Sequence, residues 1–282
     1  MLRRLKKLFG EPAFQAAPVT VLTRALTWAV SVPLGRQPVF TLVPGGAKLT
    51  VPSDFRYTSV SAFLLRDAIE PELRYIQNFV GKGDVFIDVG ANIGLFTLKV
   101  APYAGRVVAV EPGKDAGDLL AKNIALNGFS HVTIVRKALS DVPGEAVLHH
   151  NPLGDDPQAF SLISDGTDVE SEVVVITTLD QMMHDLNLPR VDCIKMDVEG
   201  AENMVIAGAS HTLSTWRPDV IFEINCPTLF KAGGDPAASW NGLAAHGYAF
   251  FRLQDDGALR PLSSRPTEFC NVVARHPQGR AA

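Results

Sequence analysis

Residues 85–100 read VFIDVGANIGLFTLKV, Val85 to Val100. A short apolar run stops on Asp88, turns through Gly90 and Gly94 with Asn92 between them, and resumes at helical spacing. A strand that is apolar on both faces belongs in a parallel sheet covered by helices. Gly90 allows a sharp turn after the strand and close approach of a ligand, and Gly94 lets the next helix pack near the strand. The helix start beyond them offers N–H groups with no intrahelical partner. A pyrophosphate would use such groups. The spacing, however, is D-x-G-x-x-x-G and not the G-x-G-x-x-G of dinucleotide sites. An acid just before the turn repels phosphate and suits a cation or an amine.

Outward from this stretch the pattern alternates. GRVVAVEP is a strand ending on Glu111, KDAGDLLAKNIALNG a helix stopped by Asn127-Gly128, and HVTIVRKAL a third strand. DCIKMDVEG is a fourth strand ending on Asp197, AENMVIAGASHTL a helix, and PDVIFEIN a fifth strand carrying Glu223. A helix closed at Gly247, a sixth strand and a last strand in EFCNVVARH follow. This alternation predicts an α/β sheet with helices on both faces. Ligands of such sheets bind outside the carboxyl ends of the strands. Asp88, Glu111, Asp197 and Glu223 all fall there. Any one of them is also a plausible helix cap, but capping does not explain four strand ends. Glu111, about twenty residues beyond the first strand, suits both hydroxyls of a ribose. A ligand with a ribose, an ammonium group and no phosphate is S-adenosylmethionine.

Two regions stand apart. PVFTLVPGGAKLTVPSD alternates and turns at Gly45-Gly46, which predicts a hairpin, and TSVSAFLLRDAIEPELRYIQNFV has helical spacing with Pro71 opening a second helix. Residues 1–57 thus read as a leader and hairpin extension, and 58–282 as the main domain. Residues 141–176 interrupt the alternation with a long loop, Asn151 to Glu170, rich in acids and lacking Lys or Arg. An acidic loop that also carries Phe160 and Leu162 predicts a lid over a polyhydroxylated substrate.

With 46% hydrophobic and 20% charged residues, wholesale disorder is excluded. A formal net charge of −4 gives no basic field for nucleic acid. Cys193, Cys226 and Cys270 lack metal-ligand spacing and read as buried thiols of a cytoplasmic protein. His149-His150 reads as a flexible surface pair, and no metal site is assigned. The basic start MLRRLKKLFG places Leu2, Leu5 and Leu8 at helical spacing, and the apolar run Val19 to Gly35 is too interrupted to span a bilayer. Weak contact of this leader with an acidic membrane surface is an alternative to a solvated role. Oligomeric state is not legible.

FIDVGANIGLFTL, VVAVEP, ALSD, TTLD and IKMDVEGAE together resemble the FkbM family of S-adenosylmethionine-dependent methyltransferases, over about residues 40–275. The resemblance implies a class I methyltransferase, Rossmann-like fold: a mostly parallel seven-stranded sheet whose last strand is antiparallel. It implies methylation of hydroxyls, often on sugars or polyketides. Carried over by position, Asp88, Gly90, Asn92 and Gly94 would meet the methionine end of the cofactor and Glu111 its ribose. Ala138 and Leu139 would border the adenine, with Ser140 or Asp141 as partner of its amine. Asp197 and Glu199 would lie beside the sulfonium and acceptor, with Glu202 one turn further on.

A hydroxyl nucleophile gains from a carboxylate that accepts its proton. Asp197 is the first candidate, Glu199 the second and Glu223 the third. A carboxylate-bound divalent cation is an alternative way to activate the hydroxyl. A non-catalytic S-adenosylmethionine-binding protein and an NAD-dependent oxidoreductase are the alternatives in function. The glycine spacing and Asp88 count against the second.

Overall fold

The computed structural model describes residues 12–55, 57–150, 160–161, 170–224 and 235–281. Helices α1 (Pro12–Ala16) and α2 (Pro18–Ser31) precede a hairpin of β1 (Phe40–Thr41) and β2 (Lys48–Leu49) that turns where Gly45-Gly46 predicts. Helix α3 (Tyr57–Leu65) and α4 (Pro71–Arg74) are separated by a tighter turn over Arg66–Ile69, and a second such turn spans Ile76–Asn78. Pro71 opens α4, where its missing N–H costs nothing.

The alternating part then runs β3 (Val85–Val89), α5 (Leu95–Val100), β4 (Arg106–Val110), α6 (Lys114–Ala125), β5 (Val132–Val135), β6 (Ala138–Leu139), β7 (Gly144–His150), β8 (Phe160–Ser161), β9 (Glu170–Thr177) and α7 (Leu179–Asp185). It continues with β10 (Cys193–Met196), α8 (Glu202–Ala207), α9 (Ser210–Trp216), β11 (Asp219–Ile224), α10 (Ala238–Ala245), β12 (Ala249–Leu253), β13 (Leu259–Pro261) and β14 (Cys270–Arg275). The main sheet has the order β13-β12-β14-β11-β10-β3-β4-β5. Strands β5, β4, β3, β10 and β11 are mutually parallel, and β14 inserts antiparallel between β11 and β12. These are the seven expected strands with the last one reversed. Short β13 adds an eighth at the edge.

Side chains alternate across the sheet as period two requires. Phe86, Val107 and Ile221 face a core closed by α5 and α6, and Val21, Trp28, Phe40 and Leu49 of the N-terminal segment belong to the same buried cluster. Ile87, Val108, Ile194 and Phe222 face the opposite core, closed by α7 to α10.

Three expectations change in detail. The third predicted strand is split: β5 joins the main sheet, while β6 pairs with β9 in a second sheet of order β6-β9-β7-β8. Arg136 and Lys137 stand at the break. The helix predicted over 201–213 is two helices, because a Cβ at Gly208 would overlap the Ser140 carbonyl and the chain breaks there to pass it. His149 and His150 sit in β7, their backbone paired with β9, so the pair belongs to a strand. Of the long loop, only Phe160–Ser161 is described, paired with His150 and His149; the rest of the predicted lid lies outside the described residues. Cys193 is buried, Cys270 is half-buried and both are free thiols; Cys226 also lies outside the described residues. No helix among the described residues is long and apolar enough to cross a membrane.

Candidate active site

The turn after β3 is shaped by packing. Gly90 has φ +75°, and a Cβ there would overlap the backbone carbonyl of Asp197. Its glycine therefore lets two strand ends meet, in addition to opening the cleft. Gly94, φ +97°, faces Leu120, so a Cβ there would push against α6. Asn92 holds φ +50°, a conformation few side chains adopt.

Asp88 is buried and binds back to the helix it precedes. Its Oδ2 accepts from the Thr97 backbone N–H (2.9 Å) and hydroxyl (2.6 Å). Its Oδ1 is buried without a partner among the described residues. Burial pushes its pKa up, against the pull of Lys195. An acceptor left this way is costly unless a donor reaches it.

Glu111, just beyond β4, is 5% exposed. Its Oε2 accepts from the Asn92 N–H (2.7 Å) and its Oε1 from the Gly113 N–H (2.8 Å), so it ties two strand-end turns together. Each oxygen keeps a lone pair for a further donor. Burial raises its pKa to about 7, opposed by those two backbone N–H groups.

Beyond β10, Asp197 Oδ2 accepts from Lys195 Nζ at 2.8 Å. The Asp197 side chain is 40% exposed and that of Lys195 6%. In register, Lys195 lies beside Asp88 on the neighbouring strand. Burial disfavours the ammonium, yet Asp197, Asp88 and Glu70 together more than offset this and raise its pKa. Glu70 keeps some surface, but loss of water around its carboxyl raises its pKa to about 7. Asn271 of β14 donates to Glu70 (3.0 Å) and Glu72 (3.2 Å), pinning the start of α4 against the sheet. Glu199 has φ +52°, so left-handed residues sit in both site turns.

One cleft gathers Asp88, Gly90, Asn92, Glu111, Ala138, Leu139, Asp197 and Glu199. Gly94 and Glu223 do not line it. Glu223 is 7% exposed, has one oxygen without a partner among the described residues, and its pKa is pushed well up by burial and by repulsion from Asp197 and other acids. Burial thus favours its protonated form, which counts against a role as base. Glu202 is buried and accepts from the N–H groups of Val198 (3.2 Å) and Gly200 (3.4 Å), so it closes the turn behind Asp197 instead of lining the cleft. Ser140 is buried and donates to Asp141; neither lines the cleft. Glu70, Phe96, Leu148 and Lys195 line it and were not foreseen. The lysine had a signal: a cation inside the apolar run CIKM must be paired if the strand is buried. Among the described residues, no three His, Cys, Asp or Glu side chains converge as a ligand set for a metal.

The arrangement carries a pH signature. Glu111 and Glu202, both raised by burial to about 7, prefer the folded state with the proton on. The stability they contribute is full below the ordinary value of 4.5 and is lost as pH rises through about 7. Ligand-free protein is expected to melt several degrees lower at about pH 8 than at about pH 6. A calorimetric melting point that is flat or rises over this window contradicts the burial assigned to these acids.

Five parallel strands with a reversed strand inserted before the sixth, and a cleft at their carboxyl ends, define a class I methyltransferase fold. The model of the methyltransferase FkbM domain matches residues 88–250, more than half of the chain. The chain belongs to the FkbM methyltransferase family. It is 27% identical over 58% of its length to the hexuronic acid methyltransferase AglP of Haloferax volcanii, spanning 63% of that protein. It is 27% identical over 61% of its length to the AMB antimetabolite synthetase AmbE of Pseudomonas aeruginosa, spanning only 10% of it. The chain thus covers less than two thirds of either relative. Among solved structures, a methyltransferase FkbM from Methylobacillus flagellatus aligns with a TM-score of 0.46 and 16% identity, covering 78% of this chain and 55% of that one.

Proposed function

We propose that this protein is an S-adenosylmethionine-dependent O-methyltransferase whose acceptor is a hydroxyl on a sugar, glycan or polyketide-type small molecule. The observation that carries the proposal is the pairing of Glu111 with Asp88 in one cleft. Glu111 offers two fixed oxygens, suited to a ribose diol, and Asp88 offers a buried oxygen with no partner among the described residues, suited to an ammonium group. Ala138, Leu139 and Leu148 give the apolar wall an adenine needs. The residues present fit the cofactor. When bound, it supplies a methyl group already activated on a sulfonium.

The chain's own part is to hold the acceptor hydroxyl in line and take its proton. Asp197 is the residue proposed for this. Lys195 fixes one carboxylate oxygen, and the exposed side chain leaves the other to accept from the hydroxyl. Glu199, in the same turn, is the alternative base. A relative named for its action on hexuronic acid supports a sugar-like acceptor.

The test is transfer of labelled methyl to a panel of sugars, glycans and polyketide alcohols. The product expected is an ether that survives mild alkali. A base-labile methyl ester, or label found only on nitrogen, contradicts the hydroxyl assignment.

A further inference from the structure

Helix α2 buries one side, where Trp28 packs on Phe63 and its indole N–H donates to the Asp54 carbonyl at 2.9 Å. The other side is apolar and open. Val19, Leu22, Leu26 and Val30 follow at steps of three and four, and are 76%, 50%, 68% and 54% exposed. Thr23 and Thr27 on the same side turn their hydroxyls back onto the carbonyls of Val19 and Thr23, at 2.9 Å each. The one charged side chain of the helix, Arg24, donates inward to the Leu64 carbonyl. A helix face turned to water ordinarily carries charge; this one carries none. Leu34 and Val39, more than half exposed, extend the patch.

The surrounding charge identifies an occupant. Up to Ser53 the chain has seven Lys and Arg against one acid, Glu11, and Arg3, Arg4, Lys6 and Lys7 fall among its first seven residues. The whole chain is at −4, so the excess negative charge lies beyond residue 53. A negatively charged lipid surface attracts the first part and repels the second, which also sets an orientation. At about 1.5 Å per residue, α2 is too short to cross a bilayer and long enough to lie along one. We propose that the open face of α2, with the basic residues before it, lies on an anionic membrane surface and holds the enzyme there.

The test is co-sedimentation of the full chain with phosphatidylcholine vesicles, with and without phosphatidylserine. Binding is expected to the phosphatidylserine vesicles, to weaken with added salt, and to fall at least about tenfold in the double variant Leu22→Glu, Leu26→Glu. Both leucines are exposed, so melting followed by circular dichroism should match wild type. Val19→Glu serves as the second variant if it does not. Absence of binding to phosphatidylserine vesicles, or equal binding by folded variants, overturns the proposal. So does a wild-type dimer that fails to bind vesicles and dissociates in the variant, which would make this face a contact between two copies.

Discussion

Asp197→Asn is expected to lower turnover on the order of 10²- to 10⁴-fold, the range for a lost acid–base group. The substitution keeps the shape and still offers Lys195 an oxygen. Cofactor affinity and stability should therefore change much less than rate. That split separates a base from a binding group: a loss of affinity with normal turnover would move Asp197 to cofactor binding. If Glu199 is the base instead, Glu199→Gln will show the rate loss and Asp197→Asn will not. Rescue of Asp197→Asn by Mg²⁺, or loss of wild-type activity in EDTA, would replace the carboxylate mechanism by a metal-assisted one.

Lys195→Met is expected to cost about 2–3 kcal/mol of stability, below the range for breaking a fully buried ion pair because the Asp197 side chain is 40% exposed and screened by water. The reason is the company Lys195 keeps. It pairs with Asp197, lies beside Asp88 in register, and is close enough to Glu70 for their charges to couple. Without it, Asp197, Asp88 and Glu70 lose the cation that offsets their charge. Part of the cost will be relieved by proton uptake, so the deficit should shrink as pH falls. Denaturant unfolding of both proteins at about pH 6 and pH 8 measures this. A variant within about 1 kcal/mol of wild type at both pH values would mean that the lysine does not organise the site.

Local rules made much of the cleft legible in the sequence. A buried strand, an acid and a glycine turn place Asp88, Gly90 and Asn92 together, and an acid at the next strand end places Glu111. Asp197 and Glu199 follow from the same rule at β10. What was not legible depends on contacts between distant residues. Lys195 signals only that it must be paired; its partners are not legible until Asp88 is known to be its neighbour and Glu70 to lie within reach of its charge. Leu148 reaches the cleft only because β7 and β9 pair and bring β6 with them. Glu223 satisfies the strand-end rule but is buried and does not line the cleft. Gly94 faces Leu120 of α6, a contact that the local spacing around the glycine does not announce.

The most direct test of the account is calorimetric titration of the protein with S-adenosylhomocysteine and, separately, with NAD. The account predicts saturable binding of S-adenosylhomocysteine, no binding of NAD, and a loss of about 1.5–3 kcal/mol in Glu111→Ala, the range for hydrogen bonds to a charged group. Binding of NAD without binding of S-adenosylhomocysteine, or a Glu111→Ala variant that binds S-adenosylhomocysteine as tightly as wild type, would contradict it.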